Sequence, residues 1–354
     1  MTMNEKLIFT NKTGEELDRF IGDLGNPRTI IITDNNVEAE VFPVLVPASG
    51  VVRTSPKIVI PAGDDNKTLD TLATVWKALS EMEAVRKTVV VNIGGGVVTD
   101  LGGFAAATYM RGMRCVNVPT TLLAAVDASV GGKTGINFNG FKNQVGVFSE
   151  PVATIISSEF FSTLPDEEIL SGYGEMLKHG LLESADAIGY LLAINPLRDT
   201  SLLLQLIRDS VSVKARVVAE DLRESGARKL LNLGHTFGHA FESYSYERNS
   251  PAAHGYAVVW GLVCELVLSH MRLGFPSELL YKVKNYVREY YGAFAITCND
   301  YPALIRAMRH DKKNSEADSI NCTLLRAPGD GVTDVVVSED EIKSTLDIYR
   351  DLML

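Results

Sequence analysis

The chain has 354 residues, of which 46% are hydrophobic and 22% are charged, and it carries a formal net charge of -10. This length predicts two domains of a soluble enzyme, the acidic balance argues against nucleic-acid binding, and the lack of a run of about 18 apolar residues predicts no membrane-spanning segment. Four scattered cysteines and an N-terminus without an apolar signal core favour a cytoplasmic protein with reduced thiols.

The first 150 residues alternate between strand and helix patterns. Residues 66–84 repeat apolar side chains at helical spacing, between runs of β-branched residues that are typical of buried strands. Strands are predicted at residues 28–34, 57–63, 87–96 and 114–121. Because strands and helices alternate at short intervals, we expect an α/β domain with a parallel sheet of the dinucleotide-binding type.

The second part of the chain has mostly helical patterns. Pro165 followed by three acidic residues is typical of a helix start, since acids are favourable in the first turn. Residues 320–338 hold two β-type runs joined by PGDG, which predicts a hairpin, and residues 339–354 are amphipathic. The sequence therefore predicts an α/β domain over residues 1–160, followed by a mostly α-helical domain over residues 161–354.

A glycine-rich segment, GGGVVTDLGGF (94–104), follows a predicted strand and is expected to begin a helix. Consecutive glycines expose backbone N–H groups and let a phosphate approach the positive end of that helix. The segment does not fit G-x-G-x-x-G, and GGKT (131–134) is not a Walker A loop because Asp127 stands where that motif needs glycine. A tight turn without a ligand is the alternative, but a dinucleotide pyrophosphate is the favoured interpretation.

Two histidines in LLNLGHTFGHA (230–240) form the densest chemical motif. His235 and His239 are four residues apart, so on a helix both rings lie on one face, as in a zinc-type pair that lacks its remaining ligands. Two histidines bonded to neighbouring backbone are the alternative. Glu175 and His179 have the same spacing and form a second possible ligand pair.

Basic residues gather in and near these motifs although the chain is acidic overall. The group consists of Lys133, Lys142, Lys178, Lys214, Arg228 and Lys312. A basic pocket in an acidic protein indicates an anionic small-molecule substrate.

Five motifs occur in order along the chain: GGGVVTDLGGFAAATYMRG, VPTTLLAAVDASVGGKTGIN, FKNQVG, GYGEMLKHG and LNLGHTFGHA. Together they resemble the 3-dehydroquinate synthase family over roughly residues 28–325. The resemblance implies a dehydroquinate synthase-like fold, bound NAD, a divalent metal and a homodimer. It also implies an activity in the shikimate pathway, the conversion of 3-deoxy-D-arabino-heptulosonate 7-phosphate to 3-dehydroquinate and phosphate. In that reaction NAD oxidises a ring hydroxyl, phosphate is eliminated, the hydride returns, and the opened ring closes by an intramolecular aldol step.

By the same resemblance, Glu175, His235 and His254 would hold Zn²⁺ or Co²⁺, and open positions on the metal would take the substrate. His239 would then be a proton-handling or phosphate-side group. Two departures bear on His254: Tyr256 stands where many members have glutamate, and residues 244–253 form a longer segment than usual.

The resemblance also implies a substrate set and a cofactor set. The substrate set is Asp127, Lys133, Asn143, Lys178, Lys214, Arg228, Asn232, His239 and Lys312, with Arg111 supplied across a homodimer. Lys313 is a rival for Lys312. The cofactor set is Asp34, Asn36, Asp64, Lys67, Gly95, Gly96, Val97, Asp100, Thr120, Thr121, Lys142 and Thr163.

Three other functions remain open at this point. A sister cyclase would act on a sugar phosphate without the carboxylate, such as sedoheptulose 7-phosphate. An NAD-dependent polyol dehydrogenase would need fewer cationic groups and would release NADH. A non-catalytic protein that senses NAD and metal would have no physical need for the full set of candidate ligands and bases.

Overall fold

The computed structural model describes residues 5–139, 141–222, 224, 226–309 and 319–353. The chain forms two compact units. The first unit comprises Met1–Pro165 and Ser201–Val211, and the second comprises Asp166–Thr200 and Ser212–Leu354. Lys312 and Lys313 lie outside the described residues.

A six-stranded parallel sheet forms the centre of the first unit. Its strands are β1 (Lys6–Phe9), β2 (Thr29–Asp34), β3 (Lys57–Ile60), β4 (Val89–Gly94), β5 (Arg114–Pro119) and β8 (Ala153–Ile156). Their order is β1-β8-β5-β4-β2-β3, and every pairing is parallel. Two short strands, β6 (Lys133–Phe138) and β7 (Phe141–Phe148), form a separate antiparallel hairpin.

Alternate residues of the strands feed two hydrophobic cores, one on each face of the sheet. Ile31 and Val91 belong to one core, whereas Ile32 and Val90 belong to the other. Helices cover both faces, so the strands are hydrophobic throughout, as a doubly covered parallel sheet requires. These helices are α1 (Thr13–Asp23), α2 (Asn35–Glu40), α3 (Phe42–Ala48), α4 (Gly50–Thr54), α5 (Leu69–Glu81) and α6 (Gly96–Thr108).

The second unit is mainly helical. Its helices are α7 (Asp166–Glu183), α8 (Ala185–Leu191), the later part of α9 (Leu203–Glu220), α10 (His235–Glu247), α11 (His254–Leu273), α12 (Ser277–Tyr291), α13 (Tyr301–Arg309) and α14 (Glu339–Met353). A hairpin of β9 (Ile320–Ala327) and β10 (Asp330–Val337) occurs where PGDG predicts one. The predicted fold class, a parallel α/β part followed by a mostly helical part, is confirmed.

One expectation needs correction. By length and composition α11 is apolar enough to cross a membrane, although the sequence was expected to hold no such segment. In the structure 72% of the most apolar 18-residue stretch of this helix is buried inside the protein, as in a core helix. Its apolar residues therefore have protein neighbours in the second unit.

Candidate active site

Three helices of the second unit bring Glu175, His235 and His254 together. Glu175 lies on α7, while His235 and His254 are the first residues of α10 and α11. The Nε2 atoms of both histidines lie 3.4 Å from Oε1 of Glu175. All three possible ligand atoms lie within 4.8 Å of one another, which is close enough for one metal ion to contact them all.

Glycines allow α7 and α11 to meet at this point. A Cβ added at Gly174 would lie 2.7 Å from the Gly255 carbonyl oxygen, and one added at Gly255 would lie 1.9 Å from that of Ser171. The Ser171 hydroxyl accepts the Gly255 N–H at 3.1 Å. Since only glycine permits this approach, the two helices place Glu175 beside His254.

Both candidate histidine ligands are oriented by a second contact. Nδ1 of His254 lies 3.1 Å from Oε2 of Glu242, and Nδ1 of His235 lies 3.0 Å from the Leu233 carbonyl oxygen. Because both partners are acceptors, each ring in its neutral form carries its proton on Nδ1 and leaves the lone pair of Nε2 for a metal. The donor set therefore fits Zn²⁺ or Co²⁺ with open coordination positions.

The electrostatics of Glu175 also suit a cation. Glu175 is fully buried, and neither of its oxygens accepts a hydrogen bond of regular geometry within the described part of the chain. Burial raises its pKa, but the contacting Lys178 ammonium and His235 together hold that pKa well below its usual range. Burial lowers the pKa of His254, whereas the carboxylates of Glu242 and Glu175 raise it, with a net result of about 10. A buried carboxylate kept ionised in this way is a strong metal ligand.

His239 and His179 lie close to this group. The His239 ring centroid is 5.3 Å from that of His235 and 6.2 Å from that of His254. His239 is half-buried and is not among the three residues whose ligand atoms converge, which favours the ligand set implied by the family over the bare His235–His239 pair. A ring nitrogen of fully buried His179 lies within 4.8 Å of a Glu175 oxygen, so that pair remains geometrically possible.

Three cations of the predicted substrate set are buried in the second unit. Lys178, Lys214 and Arg228 are at most 5% exposed. One terminal nitrogen of Arg228 donates to the Leu222 carbonyl at 2.9 Å, and the side-chain amide of Asn232 donates to Glu224 at 3.0 Å. Burial of three cations in an acidic chain is costly, and an anionic ligand would offset that cost.

A polar network in the first unit joins several residues of the predicted cofactor and substrate sets. Lys67 is 3% exposed; its Nζ lies 2.5 Å from Asp100 and also contacts Asn143. Asn137 accepts the Asn143 N–H at 2.9 Å and donates to Asp64 at 3.2 Å. Asp64 also lies 3.4 Å from the Lys142 ammonium. Sequence reasoning missed Asn137, although it is the last residue of a matched motif.

The glycine segment forms the predicted turn between β4 and α6. α6 begins at Gly96, and no side chain of the described residues caps it at Gly95. A Cβ at Gly95 would lie 3.1 Å from Thr121, and the Thr120 N–H donates to the Gly94 carbonyl at 3.0 Å. An uncapped helix start beside a cradle that a side chain would fill fits a pyrophosphate group.

The remaining predicted residues are less clearly grouped. Asp34 caps α2 by accepting the N–H groups of Asn36 and Val37, both at 2.9 Å, and burial raises its pKa. Thr163 is exposed, and its one recorded side-chain hydrogen bond in the described structure goes to the Phe160 carbonyl at 2.7 Å. Four others lie on different elements. Arg111 is exposed in a left-handed backbone conformation, and Lys133 is exposed at the start of β6. Asp127 lies in a π-helical turn, and Val97 lies in the first turn of α6.

Comparison with known proteins matches both parts of the chain to one family. Residues 57–171 match the 3-dehydroquinate synthase N-terminal model, and residues 172–314 match the 3-dehydroquinate synthase C-terminal model. A 3-dehydroquinate synthase of Parabacteroides distasonis is 46% identical over 348 residues, which cover 98% of each chain.

Solved structures of two synthases share the fold over nearly the whole chain. A 2-deoxy-scyllo-inosose synthase complexed with carbaglucose-6-phosphate, NAD⁺ and Co²⁺ has a TM-score of 0.85 at 22% identity, covering 99% of this chain and 98% of that one. The 2-epi-5-epi-valiolone synthase of Streptomyces hygroscopicus, with NAD⁺ and Zn²⁺ bound, has a TM-score of 0.82 at 24% identity, covering 99% and 97%. With both family models matched and the full-length relative at 46% identity, the chain belongs to the 3-dehydroquinate synthase family.

Proposed function

We propose that this protein is a 3-dehydroquinate synthase, a phosphate-eliminating cyclase that converts 3-deoxy-D-arabino-heptulosonate 7-phosphate to 3-dehydroquinate. The observation that carries the proposal is the convergence of Glu175, His235 and His254, with both rings oriented for metal binding, in a chain of this family. The enzyme would act in the shikimate pathway.

The two units have different roles in this proposal. The first unit binds NAD at the turn between β4 and α6, and the second unit holds Zn²⁺ or Co²⁺ together with most of the substrate contacts. The NAD⁺ and Co²⁺ or Zn²⁺ named in the related cyclase structures support this choice of cofactors. When bound, NAD would accept and return a hydride, and the metal would polarise the substrate hydroxyl and ketone as a Lewis acid.

The charged side chains of the second unit suit the anionic substrate. Lys178, Lys214 and Arg228 would bind its carboxylate and phosphate, since a guanidinium forms a planar fork and an ammonium supplies a point charge. The proposed substrate set also includes Asn232, His239, Lys312, the first-unit residues Asp127, Lys133 and Asn143, and Arg111 of a partner subunit.

His239 is the proposed proton carrier. Its ring lies near both histidine ligands without being among the three converging donors, and it is half-buried. A neutral imidazole there can take a proton from the substrate hydroxyl and return one later, as in general acid–base catalysis.

A cytoplasmic homodimer is also part of the proposal. None of the four cysteines, all of which lie in the described part of the chain, forms a disulfide, and this suits a reducing compartment. The β6–β7 hairpin exposes Phe141, Val145, Val147 and Phe148, each at least 40% accessible, and such an apolar patch is typical of a subunit contact.

Substrate choice separates this function from its nearest alternative. The purified protein with NAD and zinc would be offered 3-deoxy-D-arabino-heptulosonate 7-phosphate and sedoheptulose 7-phosphate in parallel, and released phosphate would be measured. We expect release from the first substrate only. Release from the second alone would move the function to a sister cyclase.

A further inference from the structure

The start of α10, which presents His235, is held by a carboxylate from α11. Glu265 is fully buried. Its Oε2 accepts the Gly234 N–H at 2.6 Å, and its Oε1 accepts the Thr236 N–H at 3.0 Å. These two N–H groups flank His235 in sequence, so a single side chain fixes the backbone on both sides of that residue.

We propose that Glu265 is a positioning residue, which sets the orientation of the His235 ring for metal binding. This inference rests on the proposed role of His235 as a metal ligand. Glu265 belongs to no residue set implied by the family motifs, and it acts through the backbone without contacting substrate or metal.

Close packing of α10 on α11 allows Glu265 to reach this place. A Cβ added at Gly261 would lie 1.9 Å from the Gly234 carbonyl oxygen, and one added at Gly238 would lie 3.0 Å from that of Ala257. The two helix backbones are therefore in direct contact. Glu265 lies four residues after Gly261, so its side chain projects from the same face of α11 toward the start of α10.

One rigid peptide unit connects the carboxylate to the imidazole. The N–H of Gly234, which Glu265 accepts, and the carbonyl of Leu233, which lies 3.0 Å from Nδ1 of His235, belong to the same peptide group. Because a peptide group is planar, fixing its N–H also fixes the direction of its carbonyl. The carbonyl in turn sets the ring, whose Nε2 lies 3.4 Å from Glu175.

α10 depends on this outside carboxylate at its N-terminus. The residue just before the helix, at the N-cap position, is Gly234, which has φ of 82° and no side chain that could cap the helix. A buried anion there satisfies two backbone donors and interacts favourably with the helix dipole. The residue that stabilises the helix therefore also orients the ring, and a test must separate these two effects.

The test compares Glu265→Gln and Glu265→Asp with the unchanged full-length protein. Gln keeps the shape, but its amide nitrogen cannot accept a hydrogen bond, so one N–H loses its acceptor. Zinc affinity would be measured by competition with a chromophoric chelator, at a temperature where every variant is folded. The visible spectrum of the Co²⁺-loaded protein would report ligand geometry. We expect zinc affinity to fall about 10- to 100-fold in Glu265→Gln, with a changed cobalt spectrum, and to fall less in Glu265→Asp.

Asp18→Asn is the matched control. Asp18 accepts the N–H groups of Gly50 and Val51, at 2.7 and 3.0 Å, at the start of α4 in the first unit. Its replacement is expected to lower the melting temperature and to leave zinc affinity and the cobalt spectrum unchanged.

Wild-type zinc affinity and an unchanged cobalt spectrum in Glu265→Gln, whatever its melting temperature, would overturn the proposal. If Glu265→Gln does not fold, zinc affinity and the cobalt spectrum of Glu265→Asp test the proposal in its place. His235→Ala tests separately whether His235 binds the metal at all. Undiminished zinc affinity in that variant would show that His235 is not a ligand. The role proposed for Glu265 would then be wrong as well, because it depends on that of His235.

Discussion

Nδ1 of His254 lies 3.1 Å from Oε2 of Glu242, and Nε2 of the same ring lies 3.4 Å from Glu175. One imidazole therefore connects two carboxylates of different function. Glu175 is a proposed metal ligand, whereas Glu242 holds the ring in place and increases the basicity of the nitrogen that would bind the metal.

Loss of the Glu242 carboxylate is expected to weaken metal binding. Glu242→Gln keeps a carbonyl that can accept from Nδ1, so we expect about a 10-fold loss of zinc affinity, whereas Glu242→Ala also frees the ring and is expected to lose about 100-fold. Chelator competition would measure both. Exposed Glu247 on the same helix provides the control, Glu247→Ala, with unchanged affinity. Undiminished zinc affinity in Glu242→Ala would contradict the role of Glu242.

Metal content distinguishes the two ligand pairs that involve Glu175. We expect Glu175→Ala to lose stoichiometric zinc and His179→Ala to retain it, because the oriented histidines are His235 and His254. Both replaced residues are fully buried on α7, so both variants are expected to lose stability. A difference in zinc content between them therefore reports metal binding and not folding. Elemental analysis of the purified variants measures the result. Stoichiometric zinc in Glu175→Ala would exclude the proposed site.

Lys67 is expected to stabilise the first unit even without NAD. Its ammonium lies 2.5 Å from Asp100, and the side chains are only 4% and 16% exposed. Lys67→Met leaves that carboxylate buried without its cation, which should cost roughly 3 kcal/mol in the free energy of unfolding of the first unit. Lys12 pairs with Glu15 at the surface, so Lys12→Met should cost less than about 1 kcal/mol. Urea unfolding of the NAD-free protein measures the free energy of unfolding of both variants. If the two variants lose equally little stability, Lys67 does not stabilise the first unit as proposed.

The contact between α10 and α11 should not tolerate a methyl group at Gly261. The added Cβ would lie 1.9 Å from the Gly234 carbonyl, so Gly261→Ala must separate the helices at the start of α10. We expect a loss of roughly 3 kcal/mol in unfolding free energy together with weaker zinc binding. Gly189→Ala on α8 is the control, because nothing lies within 4 Å of its added Cβ; alanine there should stabilise by about 0.5 kcal/mol. A higher melting temperature for Gly261→Ala than for Gly189→Ala would contradict the close contact between α10 and α11.

The sequence predicted the strands of the first unit best where hydrophobic runs are long. β2 and β4 are buried at every position, and their β-branched runs were recognised. β1 and β8 have four residues each and were missed, as was the hairpin of β6 and β7. The hairpin sequence is rich in glycine and polar residues, and β7 is exposed throughout, so it has no alternating pattern that would have marked it.

The sequence named the three converging residues of the candidate site but not the residues that support them. Glu175, His235 and His254 were proposed as metal ligands from the family resemblance, and the structure brings them together. Glu242 and Glu265 are ordinary helical carboxylates until the packing of α10 on α11 is known. Weak signals were present. Glu242 lies seven residues after His235 and Glu265 eleven after His254, and each spacing returns to the same helix face. Such a spacing alone does not distinguish a supporting carboxylate from a solvated one.

Turnover with limiting NAD tests most directly whether this chain is a synthase. The zinc-loaded protein would receive excess 3-deoxy-D-arabino-heptulosonate 7-phosphate and far less NAD, and released phosphate and NADH absorbance would be followed together. Because the hydride returns to the substrate, we expect many phosphates released per NAD with no lasting increase in NADH. No phosphate release, with NADH accumulating on simple polyols, would contradict the synthase assignment and indicate a dehydrogenase.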